Sequence, residues 1–286
     1  MTLSERYHIS SMKDDEIKIL EEWVVKEGWN PGLSDFAVAR KSDPDCFIAL
    51  REGSTLVGGG SIMSYDGNYG FMGLFIIRED HRRKGLGKEL WYWRRDHLLK
   101  RLKPNASIGM DGVFHMVPFY ERGGFKPAHR DLRFEGIASG EKFSDIIHFT
   151  VRNFDEIDKF DRVYVPAPRS SFLRDWMSQP GSYVVGARDR DRLVGYGIAR
   201  PCRVGFKIGP LFAETDACAK KILLTLLDFI KGEQVQMDIP EGNTSSIRFV
   251  FELGLKETFG CMRLYYRQAP KIQLQHIYAV TSLEFG

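Results

Sequence analysis

The sequence predicts two consecutive α+β domains, and three observations carry that prediction. A chain of 286 residues exceeds one ordinary hydrophobic core and suits two. One order of elements (three strands, helix, strand, helix, strand) reads out twice along it. Between the copies lies a small, polar stretch, Gly136-Ile137-Ala138-Ser139-Gly140-Glu141-Lys142, with the composition of a linker. The predicted units are residues 1–135 and 143–286.

In the first unit, Ile17, Ile19, Leu20, Trp23 and Val24 recur at helical spacing within Asp14 to Glu27. Cys46 to Leu50 and Thr55 to Met63 read as a hairpin turning at Arg51-Glu52-Gly53. Tyr69 to Ile77, aromatic and β-branched, reads as a buried strand. A charged loop with two glycines, Arg78 to Gly87, leads into a helix over Lys88 to Arg101 with one apolar face. Ala106 to Met110 is a short strand. Pro118 to Arg122 is a short helix stopped by Gly123-Gly124, and Phe125 to Phe134 closes the unit. In the second unit, Ser182 to Ala187, Arg192 to Ala199 and Val204 to Phe212 read as strands. A helix over Asp216 to Lys231 is capped by Thr215 or Asp216. Val235 to Ile239, Thr244 to Leu253 and Leu255 to Tyr266 follow as strand, helix and strand. Arg169 to Trp176 has the spacing of an amphipathic helix packed on its own core.

Composition narrows the function classes. With 41 basic and 38 acidic residues the formal charge is +3, which argues against a broad nucleic-acid face and leaves room for a local basic pocket. Cys46, Cys202, Cys218 and Cys261 lack metal or redox spacing and read as reduced thiols, with no metal site. Met1 to Lys18 is polar, without the apolar core of a signal peptide. No run is long enough to span a membrane. A cytoplasmic protein is the default expectation, and the sequence says nothing of its oligomeric state.

The sharpest chemical feature is the passage from Phe75-Ile76-Ile77 through Arg82-Arg83-Lys84-Gly85-Leu86-Gly87-Lys88. A helix N-terminus offers unpaired N–H groups and partial positive charge to an anion. Gly85 and Gly87 let phosphate oxygens approach the backbone, and Arg82, Arg83, Lys84 and Lys88 add charge suited to a pyrophosphate. Read alone, R-x-x-G-x-G is also compatible with a solvated basic turn. It is neither the Walker loop nor the three-glycine dinucleotide fingerprint. Downstream, Tyr120-Glu121-Arg122-Gly123-Gly124-Phe125 follows the next strand.

Together these parts resemble the GCN5-related N-acetyltransferase (GNAT) family, whose pattern is a hydrophobic strand, R/Q-x-x-G-x-G/A, helix, strand, then Y-x-x-x-G-F. The resemblance implies a mixed α/β sheet splayed between its fourth and fifth strands. The pantetheine arm of acetyl-CoA would lie in the splay against Phe75, Ile76 and Ile77. Its pyrophosphate would sit on the amides of Arg83 to Lys88. Tyr120 would protonate the departing thiolate, a role suited to a phenol that keeps its proton at neutral pH; its other reading is a packed core aromatic. The family often has Asn and Ala seven and four residues before this tyrosine, where this chain has Val113 and Met116. A general base is not evident. Asp111 at a strand end and His115 beyond it are the candidates, with Asp111 also readable as a turn residue. Glu79, Asp80 and His81 are expected to face solvent.

The second half resembles the same fold in divergent form. Gly209-Pro210-Leu211-Phe212-Ala213-Glu214-Thr215-Asp216-Ala217 replaces the arginine-rich loop, and its two acids oppose a pyrophosphate. Val250 stands at the tyrosine position. The expectation is a domain that kept the fold and lost the cofactor. Met110-Asp111-Gly112-Val113, Asp238-Ile239-Pro240-Glu241-Gly242-Asn243 and Thr281-Ser282-Leu283-Glu284-Phe285-Gly286 resemble the YitH/HolE group within the family. Arg200, Cys202 and Arg203 read as a surface turn or as contacts to an acidic substrate group. The reading that results is tandem GNAT-like domains transferring acetyl from acetyl-CoA to a small-molecule amine, with no nucleic-acid or membrane partner. A non-catalytic acyl-CoA sensor and a protein N-acetyltransferase are the alternatives.

Overall fold

The computed structural model describes residues 6–286; the five leading residues, which entered both the signal-peptide reading and the first predicted unit, lie outside it. The first half runs β1 (Tyr7–Ser11), α1 (Asp14–Lys26), α2 (Asp35–Ser42), β2 (Phe47–Glu52), β3 (Thr55–Tyr65), β4 (Tyr69–Ile77), α3 (Leu86–Arg101), β5 (Ile108–Val113), α4 (Val117–Arg122) and β6 (Phe125–Ile137). The second half repeats this order: β7 (Ile146–Phe149), α5 (Phe154–Asp161), α6 (Ser170–Met177), β8 (Tyr183–Asp189), β9 (Arg192–Pro201), β10 (Phe206–Ala213), α7 (Asp216–Phe229), β11 (Gln234–Pro240), α8 (Thr244–Glu252) and β12 (Lys256–Tyr266). A short β13 (Ile277–Ala279) follows. The repeat thus includes an edge strand and two helices before each hairpin. Of these, β1, α2, β7 and α5 escaped the sequence reading because they are short and only partly periodic.

The strand order is β1-β2-β3-β4-β5-β12-β6-β11-β10-β9-β8-β7, with β13 beside β10. Phe125 to Phe134 does not close the first sheet, contrary to the sequence expectation. Instead β6 pairs with β11 and β12 pairs with β5, so each half lends its last strand to the other. The two lent strands pair along their length, from Lys256↔Glu135 to Tyr266↔Phe125. This pairing removes two sheet edges at the junction that would otherwise need covering. The stretch after β6 is held down: Ala138 N–H bonds to the Glu233 carbonyl at 2.8 Å, and Gly140 lies so close to α7 that a Cβ would meet Leu224 O at 2.1 Å.

Buried ion pairs add to the junction. Asp35 of α2 holds Arg200 of β9 at 2.9 Å with side chains 0% and 1% exposed, and Arg133 of β6 holds Asp238 of β11 through two bonds of 2.7 and 2.9 Å. Arg200 is therefore an internal strut, neither a surface turn nor a ligand contact, while Arg203 reaches Glu21 at 3.6 Å. The residues after β13 cross from the second half into the first. Ser61 Oγ and Tyr65 Oη donate to the carbonyls of Glu284 and Phe285, and Phe285 packs edge-on to Phe36 and Phe47 with no exposed surface. Phe285→Ala is expected to cost about 3–5 kcal/mol, the usual range for a fully buried Phe, read as a lower denaturant midpoint at unchanged m-value.

Candidate active site

The β4–β5 pairing stops early. Gly70↔Ile108, Phe71↔Gly109 and Met72↔Met110 are paired, after which β5 continues against β12. The outer half of β4, Gly73 to Ile77, therefore faces a cleft without a strand partner on that side. Leu74 takes φ +49° within it, and the β3–β4 register slips between Gly59↔Ile76 and Ser61↔Gly73. This bulge re-aims the edge at the cleft. A cavity of about 520 Å³ opens here, bounded by Phe75, Arg83, Gly87, Tyr120, Asp111 and Glu284 among others.

At one end of the cavity the β4–α3 loop enters α3. Arg83 and Gly85 have φ of +64° and +81°, and Gly85 is the cap of this 16-residue helix. Left-handed residues beside a helix N-terminus turn successive N–H groups toward one point, a concave anion site. A Cβ at Gly87 would touch only Phe75 and Ile77 at 3.4 and 3.5 Å, so this glycine matters for what approaches the helix. Arg83, Lys84 and Lys88 are exposed. Arg82 braces the loop: Nε donates to Ile77 O at 2.9 Å and Nη2 to Glu27 at 2.6 Å. His81, expected in solvent, is 6% exposed, with Nδ1 2.8 Å from Asp80 and Nε2 3.3 Å from Glu52. The apolar Leu86 beside these polar residues is buried under the sheet.

At the other end stands Tyr120. Its ring stacks on Trp91 at 5.8 Å and lies against Gly112, where a Cβ would come within 2.4 Å of Cε2. That contact explains the Asp111-Gly112 sequence: only glycine leaves room for the ring. The Tyr120 hydroxyl has no hydrogen-bond partner among the described residues, although the side chain is 4% exposed and lines the cavity. Burial pushes its pKa up to about 12, with the Arg94 charge pulling the other way. Arg94, from α3, is 1% exposed and faces no carboxylate among the described residues. Its Nη2 donates to the Ser61 and Gly73 carbonyls beside the bulge, while Nε and Nη1 are unpaired. Burial lowers its pKa to about 9.

Asp111 lies in β5, not in a turn, with its side chain 1% exposed. Arg263 of β12 grips it through bonds of 2.6 and 2.7 Å. Asp131 of β6 sits 3.5 Å from the same guanidinium and is fully buried. Burial raises the Asp111 pKa, Arg263 opposes this, and the neighbouring Asp131 charge adds to it, leaving it near 8. Two carboxylates thus share one guanidinium, and burial favours the protonated form of Asp111. His115, exposed, lies at the cavity mouth together with Val113 and Met116, the positions departing from the family pattern. No group of His, Cys, Asp or Glu among the described residues has the arrangement of a metal site.

Sequence reasoning missed Arg94, Asp131 and Arg263. The signal was present in the periodicity: Leu90, Arg94 and Leu98 share a helix face, and Cys261, Arg263 and Tyr265 share a strand face. A charge in an apolar row is the mark of a buried site.

In the second half the corresponding cleft is filled by the chain itself. β10 pairs with β11 only from Phe206↔Val235 to Ile208↔Met237; beyond this, Leu211↔Ala279 and Phe212↔Ile277 pair it with β13. Val280 N–H then bonds to Asp238 O at 2.8 Å. Thr215 caps α7 by accepting from Cys218 N at 3.3 Å, and Val250 is buried at the tyrosine position.

A sheet parted at β4–β5, a glycine-containing loop with left-handed residues leading into α3 and a buried tyrosine opposite it are the features of an acyltransferase fold. Residues 9–125 match the family model described as "Acetyltransferase (GNAT) family", and residues 157–279 match "Acetyltransferase (GNAT) domain". The chain belongs to the GNAT family as a tandem-domain acyltransferase. It is 29% identical over 275 residues to the holothin acyltransferase of Pseudoalteromonas sp. (strain SANK 73390), covering 95% of this chain and 92% of that protein. It is 24% identical to the uncharacterized N-acetyltransferase YitH of Bacillus subtilis (strain 168), over 75% of this chain and 76% of that one. Among solved structures, a provisionally described acetyltransferase from Pyrococcus horikoshii superposes with TM-score 0.85 at 19% identity, over 100% of this chain and 98% of that one. A tandem GNAT protein from the clavulanic acid biosynthesis pathway gives 0.66 at 13%, over 93% and 99%. No described helix is long and apolar enough to cross a membrane.

Proposed function

We propose that this protein transfers an acetyl group from acetyl-CoA to a primary amine of a small molecule, with the chemistry in the cleft of residues 1–135 and residues 143–286 forming its far wall. The observation that carries the reading is the course of the cavity. It begins at the helix cap of α3, follows the unpaired edge of β4 and ends between the free Tyr120 hydroxyl and Asp111.

In this reading the bound thioester supplies the activated acyl group. The amides from Arg83 to Lys88, with the side chains of Arg83, Lys84 and Lys88, hold the pyrophosphate. The backbone of Phe75, Ile76 and Ile77 meets the amides of the pantetheine arm as a strand neighbour would. Arg82 and Leu86 keep the loop in shape. Asp111 takes a proton from the acceptor nitrogen, and Tyr120 Oη gives its proton to the departing sulfur. A small acceptor is favoured because Trp29, Phe259, Leu283 and Glu284 close the far side of the cavity, which leaves little room for a folded protein chain.

The test is acetyl-CoA turnover against a panel of small primary amines and a lysine peptide. Turnover with at least one small amine is expected; acetylation of the peptide alone would replace this reading by a protein acetyltransferase. Because Asp111 must be unprotonated to accept a proton, kcat/KM should rise with pH through about 8, where the pKa of Asp111 lies. Asp111→Asn should lower kcat/KM about a hundredfold or more, within the range of a positioned base, and abolish that rise. An unchanged profile would remove Asp111 from the role.

A further inference from the structure

Behind Asp111 lies a group that the mechanism above does not use. Asp131 is fully buried, and neither carboxylate oxygen has a hydrogen-bond partner among the described residues. A buried charged group left so demands an explanation, since its desolvation is costly. Strand register gives its setting. Asp111, Arg263 and His129 lie directly across from one another on β5, β12 and β6, and Cys261 faces Asp131 in the adjoining row. Facing residues in antiparallel strands share one side of the sheet, so these groups form a single polar line. Asp111 lines the cavity at one end. Asp131 is next, beside the same guanidinium, and His129 Nε2 stands 3.6 Å from Asp131 Oδ1. The His129 side chain is 15% exposed, so the line ends in solvent. Tyr265, Tyr69, the Cys261 thiol and Asp238 also stand near this line; burial pushes the pKa of Tyr265 up against the opposing Arg263 charge, and burial together with the carboxylates pushes that of Cys261 up.

Resting on the assignment of Asp111 as base, we propose that Asp111, Asp131 and His129 form a relay that carries the acceptor's proton through the sheet to solvent. With acceptor and donor both bound in the cavity that Asp111 lines, a proton on Asp111 would need an exit on its other side. It passes from Asp111 Oδ to Asp131 Oδ, from there to the His129 imidazole, whose Nε2 stands 3.6 Å away, and then to bulk water. His129 suits the last step by its place, with one ring nitrogen facing Asp131 and the side chain reaching solvent. The nitrogen gives up two protons: one leaves through the relay and the other restores the proton that Tyr120 passed to the sulfur, so an ammonium and a thioester give an amide, a thiol and one released proton. Arg263 of the second half is a positioning residue, holding both carboxylates against their mutual repulsion while only one proton is present.

Two measurements test this. Infrared spectra of the free protein should show a protonated-carboxyl band near neutral pH that both Asp131→Asn and Asp111→Asn remove. Single turnovers with acetyl-CoA and the best amine of the panel, followed with a pH-indicator dye in weak buffer, should show proton release keeping pace with amide formation. In His129→Ala, release should fall at least tenfold behind, tracking product departure, and added imidazole should restore it; the Kd for acetyl-CoA should not change. A missing band, or release in His129→Ala that still keeps pace, would overturn the relay. Wild-type rates in Asp111→Asn would instead overturn the underlying assignment of the base, and the band would still report whether the carboxylates share a proton.

Discussion

Replacing Tyr120 with phenylalanine is expected to lower kcat by about a hundred- to a thousandfold, within the range a positioned proton donor contributes. The Kd for acetyl-CoA and the unfolding midpoint should hardly move. The reason is local. The ring is fixed by Trp91 and by the space that Gly112 leaves, and phenylalanine keeps both contacts. The hydroxyl bonds to nothing in the described chain, so its loss strands no partner. Burial pushes the pKa of Tyr120 up to about 12. It therefore stays protonated as pH rises, and the wild-type rate should show no decline from this group below about pH 11. A packing role predicts the reverse pattern: unchanged kcat. Rate assays, calorimetry and denaturant unfolding on one variant separate the two.

The second large effect belongs to the loop. Changing Gly85 and Gly87 together to leucine should weaken acetyl-CoA at least a hundredfold, or about 2.7 kcal/mol. The two positions act differently. Gly85 has φ +81° and open space around its Cα, so a side chain there is strained by the backbone and shifts the amides of the helix cap. At Gly87 the backbone is helical and a Cβ meets only ordinary contacts, so its side chain harms the ligand rather than the fold. Gly87→Leu alone should then bind poorly at nearly wild-type stability, whereas Gly85→Leu should also lower the unfolding midpoint.

How far the sequence could be read follows from which forces were local. β4 was read with its observed limits, and α3 within two residues, because hydrophobic period and a glycine loop mark their ends. The absence of the arginine-rich loop from the second half was legible, with Glu214 and Asp216 standing in its place. The filling of its cleft was not, because β13 has only three residues and acquires its meaning by pairing with β10. The lent strands were hidden for a similar reason. Phe125 to Phe134 and Leu255 to Tyr266 are plain strands by period, and nothing local says which edge each will join. That choice brought Arg263 to Asp111 from 152 residues away and placed Asp131 behind both. Asp111 was therefore visible as a candidate, while the groups that set its basicity were not. Arg94 is the remaining case: an arginine on the apolar stripe of α3 drew no reading from the sequence, yet it supports the β4 bulge from beneath.

The most direct test of the whole account is the stoichiometry of acetyl-CoA binding to the intact chain by titration calorimetry. One molecule per chain is predicted, because the first cleft is open along Gly73 to Ile77 and the second is closed by β13. Binding should vanish in the Gly85/Gly87 double variant. Two molecules per chain, or one that survives that variant, would contradict the assignment of the site to the first half.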